Sequence, residues 1–554
     1  MRVSAAVTRE LQLRLHVMAF TLLLGTLTSC GGSDMSSSMP PPPSGGGGST
    51  HTPTQPTDVV TYKNDVGRTG ANVTESVLTP ANVNSSSFGK LRTLDTDGKV
   101  DAQPLYLSGL AVQGAAHNVV FVATENDTLY AFDADTGAVL WQKSLLGSGE
   151  TPSEAVHSCS QVTPMIGITA TPVIDRSAGA HGTIYVVAMS KTTSPLAYHQ
   201  RLHALDVTTG AALPNSPMEV TATYPVMGGM MNFDPQQYEE RAALLLSHGT
   251  LYTSWTSHCD DPPYSGWVIA YNQGTLAQTA VFNAAPNSGG GGPAIWMSGG
   301  GPAADASGDV YLLTANGAFE TTLDARGFPN RADFGNSFLR LSGGALTALD
   351  YFSMSNTVAE SAADQDLGSG GILLLPDLQD SGGVVRHLAV GAGKDTNIYV
   401  VDRDSMGKFS ASGNNIWQEL PGALGGGIWS TPAYYNSTLY YGPVAGNLKA
   451  FTISAAKLTA ASSSSATFNY PGTSPTVSAN GSGSGIVWAH ENSDPAVLHA
   501  YDASDLSHEL YNSSQAAGGR DKLGPGNKFI APMIADGKVF VGTQSGVTVF
   551  GLLN

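Results

Sequence analysis

A chain of 554 residues with 13% charged residues, 65 glycines and a formal net charge of −18 is too long for one simple core, so it is either several domains or one closed repeat architecture. The scarcity of charged amphipathic runs argues against a helical protein and for a loop-rich all-β chain. The acidic balance excludes nucleic acid as a partner, because phosphate binding needs a basic surface.

Arg2, Arg9 and Arg14 precede the apolar run LHVMAFTLLLGTLTSC, which is short for a transmembrane helix and suited to a secretory signal. Residues 1–29 are therefore expected to be a signal peptide. The run ends in Leu27, Thr28, Ser29 and Cys30, which resembles the lipobox of bacterial lipoproteins. That resemblance implies lipid on Cys30 as the contact with the membrane, and Gly31 in place of Asp implies sorting to the outer membrane. Residues 30–57 are rich in Gly, Ser and Pro and hold no apolar side chains except two Met after the cysteine. Such a segment cannot offset its ordering entropy and is expected to be a disordered tether, reaching on the order of 30 Å.

From residue 58 onward short alternating strands recur. The first clear unit is NVVFVATENDTLYAFDADTGAVLW, in which Val120, Val122, Leu129 and Ala131 show the period-two pattern of half-buried strands and DADTG is a turn. Similar units start at Gly182, Gly249, Gly308 (GDVYLLTANG), His387, Ser437, Gly485 and Gly537, and most follow a short strand with a Pro or Gly lead-in: AQPLYL, ATPVID, GGPAAD, STPAYY and APMIAD. Each unit is then four short strands, and eight units make 58–554 an eight-bladed β-propeller. The last unit ends just after its third strand, so FGKLRTLDTD near Phe88 is expected to close the ring.

At LYAFDADTGAVLW the chain resembles the repeat of pyrroloquinoline quinone (PQQ) proteins, in which an Ala, an Asp, a Thr-Gly pair and a Trp recur: here Ala131, Asp133, Thr136, Gly137 and Trp141. The match is partial at ALDVTTG and VVDRDSMG, and in the Trp position only Trp141 and, loosely, Trp417 remain. The resemblance implies a propeller of the quinoprotein alcohol dehydrogenase-like superfamily, whose members include dehydrogenases using PQQ and Ca²⁺ and assembly factors resembling BamB. Fold follows from the repeat; function does not.

The connections between strands two and three, and those into the next blade, share one face and hold the long loops, so a binding site is expected there. Cys159 and Cys259 fall on that face in adjacent blades and are expected to form a disulfide in an exported chain. The residue after each second strand is polar: Glu125, Lys191, His258, Asn316, Lys394, Glu491 and Gln544. As a ring these would offer cations and carboxylates to an anionic or sugar-like ligand. His258 with Asp260 and Asp261 is a weak metal signal, and no metal site is expected. The adjacent-cysteine pair of quinoprotein alcohol dehydrogenases and a C-x-x-C-H haem motif are both missing from the sequence. The expected function is an outer-membrane-tethered monomer that binds an unidentified ligand or envelope protein without dehydrogenase activity. The alternatives are a PQQ-dependent oxidoreductase of alcohols or aldoses, a BamB-like scaffold, and a glycan-acting enzyme.

Overall fold

The computed structural model describes residues 58–154 and 160–553. The expected signal peptide, the lipid site Cys30, the tether 30–57 and Cys159 lie outside the described residues.

The described chain is an eight-bladed propeller with almost no helix. Blade one pairs Leu105–Val112, Ala115–Ala123, Thr128–Asp133 and Val139–Ser144 as an antiparallel meander. The last blade joins Met533–Ala535, Lys538–Thr543 and Gly546–Leu552 to Phe88–Asp95 as its outer strand, so the N-terminal strand closes the ring as its sequence suggests. Phe88 is fully buried there, with its ring 5.4 Å from that of Trp488 and 5.0 Å from that of Tyr511 in the preceding blade.

The repeated Asp explains the turn between strands three and four. Asp133 Oδ1 accepts from the backbone N–H of Asp135 and Thr136 and from the Thr136 hydroxyl, which satisfies turn donors that no strand can reach. Asp206 does the same for Thr208, and Asn272 for Gly274 and Thr275. The repeated Trp and Gly dock blades. Trp141 Nε1 donates to Val207 O at 3.0 Å, and its ring lies over Gly210, where φ is +67° and a Cβ would come within 2.8 Å of the indole. Gly210 is required there both for its left-handed backbone and for the approach of the ring. Buried apolar side chains form layers between neighbouring blades all round the ring.

The structure departs from the expected face pattern in two places. The long join KTTSPLAYHQ is an extension of regular strand, Thr183–Thr193 paired with Leu196–Asp206 up to a turn at Ser194 and Pro195. A small hairpin, Leu378–Gln379 with Val385–Arg386, extends a turn between strands one and two, so elaboration is not confined to one face.

Residues 59–75 were not assigned by the repeat, and they occupy the channel along the propeller axis. Their backbone meets the inner strands in turn: Val59 with Tyr106, Val60 with Ile174, Val66 with Ala304, Gly67 with Leu374, Thr69 with Tyr434 and Gly70 with Val477. Arg68 reaches Leu244 O at 3.1 Å and Pro302 O at 2.9 Å, and Asn72 reaches Ile534 O at 3.0 Å. Every blade is touched. Lys63 is fully buried, and its ammonium donates to the carbonyls of Thr431, Pro432 and Pro475. Burial pushes its pKa well below the usual lysine range, while three carbonyl partners offset part of that loss of hydration.

Candidate functional site

Above this plug, on the face of the interblade connections, lies a narrow axial cleft. The connections into the inner strands of every blade but the first deliver side chains to it: Gln161, Arg241, Trp296 with Ser298, Asp366 with Ser369, Trp429, Tyr470, and Lys528 with Phe529. Asp260 and Lys394, from joins between strands two and three, complete the lining. Tyr62 of the plug packs against Ala243 and Ala531, within two residues of Arg241 and Phe529, and donates to Thr431 Oγ1 at 3.3 Å.

Cations and rings alternate in the cleft. Arg241 lies 4.3 Å above the centroid of Phe529, Lys394 Nζ 5.9 Å from that of Trp429, and Lys528 Nζ 5.8 Å from that of Tyr470. The rings meet edge to face, Trp429 with Tyr470 at 5.6 Å and Tyr470 with Phe529 at 6.4 Å. Ring faces stabilise cations without neutralising them, so the positive charge stays available to an anion. Burial, with Arg241 and Lys99 nearby, lowers the pKa of Lys528.

Carboxylates border the same space. Asp366 stands 3.0 Å from Lys394 Nζ, yet burial outweighs that lysine and pushes its carboxyl up to about 7. Trp296 Nε1 donates to Asp260 Oδ1 at 3.2 Å. Behind Arg241 and Lys528, Lys99 pairs with Asp101 at 2.8 Å, and Asn527 donates to Asp101 at 2.6 Å. Asp101 stands beside Glu125, whose carboxyl is raised well above its usual range by burial and then by the Asp101 charge. Glu125 Oε2 accepts from Gly167 N at 2.8 Å and Thr169 Oγ1 at 3.0 Å.

The seven polar residues after the second strands do not converge. Lys394 lines the cleft, and Asn316 reaches the same Asp364 carboxylate as Lys394, at 3.1 and 2.9 Å. Glu125 is buried beside Asp101, and His258 is fully buried with Nδ1 3.5 Å from Glu239, itself 3.5 Å from Arg241. Lys191 pairs with Glu154, Glu491 faces His499 at 3.3 Å, and Gln544 donates to Gly526 O at 2.9 Å. The residues that do converge were missed because they stand before the inner strands. For two of them the signal is the place three before a lead-in proline: Trp429 before Pro432 and Phe529 before Pro532.

PQQ, which the repeat implies, is a planar tricarboxylate. The cleft matches its charge and rings but holds only about 70 Å³, room for a few water molecules. Among the described residues no group of three or more His, Cys, Asp or Glu converges to hold a metal ion. The residues present therefore do not fit a quinone with its cation, and no step is derived through one.

A family model described as outer membrane protein assembly factor BamB matches residues 68–213. No curated protein matches the chain. Among solved structures, a quinohemoprotein alcohol dehydrogenase from Pseudomonas putida HK5 is similar at 14% identity and TM-score 0.59, over 89% of this chain and 80% of that one. One from Comamonas testosteroni is similar at 14% identity and TM-score 0.58, over 89% and 80%. A europium-containing methanol dehydrogenase is similar at 15% identity and TM-score 0.57, over 89% and 98%. At such identities the likeness is one of fold: the chain shares the β-propeller of these quinoproteins, and the matching family model falls on its residues 68–213.

Proposed function

We propose that this propeller is a cell-envelope receptor that binds a small planar anion in the axial cleft, without dehydrogenase activity. The observation that carries the reading is the convergence of Arg241, Lys394 and Lys528, each over an aromatic ring, from connections of different blades. Such an arrangement supplies charge for a carboxylate or phosphate small enough to replace a few water molecules. Of the residues expected from sequence, Lys394 contacts the ligand, Glu125 and His258 support the shell beneath it, and Asn316 acts through Asp364. The export signal, the lipobox and the BamB description of the matching family model support a bacterial envelope location, with the chain held to the outer membrane through Cys30. In the same reading Cys159 pairs with Cys259, which is not a free thiol.

Fluorescence titration tests the site, because Trp296 and Trp429 line it. Oxalate, a compact planar dicarboxylate of the size the cleft admits, is expected to change tryptophan emission saturably, and Arg241→Gln to weaken this at least tenfold. Protein incubated with PQQ and Ca²⁺ is expected to reduce no dye with alcohols or aldoses above a buffer control. Substrate-dependent dye reduction would replace this reading by the oxidoreductase one.

A further inference from the structure

On the face opposite the axial cleft, a groove of about 730 Å³ runs between the plug and the turns of blades four to six. Its inner wall carries Tyr311 with two guanidinium groups beside it, Arg340 at 6.0 Å and Arg403 at 5.7 Å from the ring centroid. Arg340 has its own carboxylate: Nε and Nη2 donate to Asp309 Oδ2 at 2.8 and 2.6 Å. Arg403 does not. Its Nε is buried without a hydrogen-bond partner, and its nearest carboxylate, Asp305, stands 3.8 Å from Nη1. Asp305 is engaged elsewhere, accepting from Ser307, from Asp309 N and from the Tyr311 hydroxyl at 2.9 Å.

An arginine only 11% exposed, beside a ring and with a buried Nε that has no partner, is a costly arrangement for stability alone. The partner that satisfies a guanidinium fork is a planar oxyanion. At the rim, exposed Asp377 and Asp404 flank His387 at 3.6 and 2.8 Å, which disfavours a dianion and favours a cationic tail. We infer that this groove is a second binding site, in which Arg403 holds the carboxylate of a small zwitterion, such as an amino acid or short peptide, whose ammonium faces the rim carboxylates. The site is separate from the axial cleft and takes different chemistry.

Calorimetric titration of the folded protein with glycylglycine, its methyl ester and inorganic phosphate tests this. Glycylglycine is expected to bind at least tenfold tighter than the ester, which lacks the carboxylate, and tighter than phosphate. Oxalate is expected not to compete. Arg403→Lys, which keeps the charge and loses the fork, should weaken the dipeptide at least fivefold with an unchanged melting temperature. No dipeptide binding, ester or phosphate binding as tight as the dipeptide's, or wild-type affinity in Arg403→Lys would each overturn the site. Should that variant fail to fold, the comparison of the three probes on the wild-type protein decides.

Discussion

Asp366 gives the axial cleft a pH dependence. Its carboxyl titrates at about 7 because burial outweighs the attraction of Lys394. Below that pH the carboxyl is neutral, Lys394 is partly released, and the cleft becomes more positive. Oxalate affinity is therefore expected to rise several-fold from pH 8 to pH 6, and Asp366→Asn to remove the slope by holding the higher affinity throughout. A second titration concerns stability. His490 is buried, with Nε2 unpartnered, and burial, helped by the charge of His499, lowers its pKa from 6.5 to about 4. A depressed histidine stabilises the fold above its unfolded value, so this contribution is full above pH 6.5 and is lost as pH falls toward 4, amounting to about 3 kcal/mol. Urea midpoints measured across that window should fall less steeply for His490→Gln than for wild type.

At the scale of elements, the ring depends on two segments from the same end of the chain. Phe88 anchors the closing strand against Trp488, Tyr511 and Phe550, so Phe88→Ala is expected to cost about 3–5 kcal/mol in urea unfolding. Lys63→Met should lower stability by about 3 kcal/mol, because the carbonyls of Thr431, Pro432 and Pro475 lose their donor. The blades and the closing strand were legible in the sequence because period two, Asp-capped turns and the Pro lead-ins are local signals. The plug was not. Its residues have no alternation, and its partners are backbone groups of inner strands distant in sequence, so nothing near Lys63 or Arg68 marks them as buried. The cleft was half legible: strand order puts Lys394 in a join on the face where the cleft opens, whereas Arg241 and Tyr470 reach the axis from connections with no repeat of their own.

At the scale of the molecule, the first described residue, Asp58, is held by Arg176 and Ser108, beside turns that join strands one and two. The axial cleft is built from the connections on the other face. Cys30→Ala is thus expected to release the protein from membranes while leaving oxalate affinity unchanged. The most direct measurement of the central claim is calorimetric titration of oxalate into the protein and into its Arg241→Gln/Lys394→Gln variant, with melting temperatures as the control for folding. The account predicts one site per chain in the wild type, weakening with added salt, and a loss of at least a hundredfold in the double variant at an unchanged melting temperature. Equal affinity in the two proteins would contradict it.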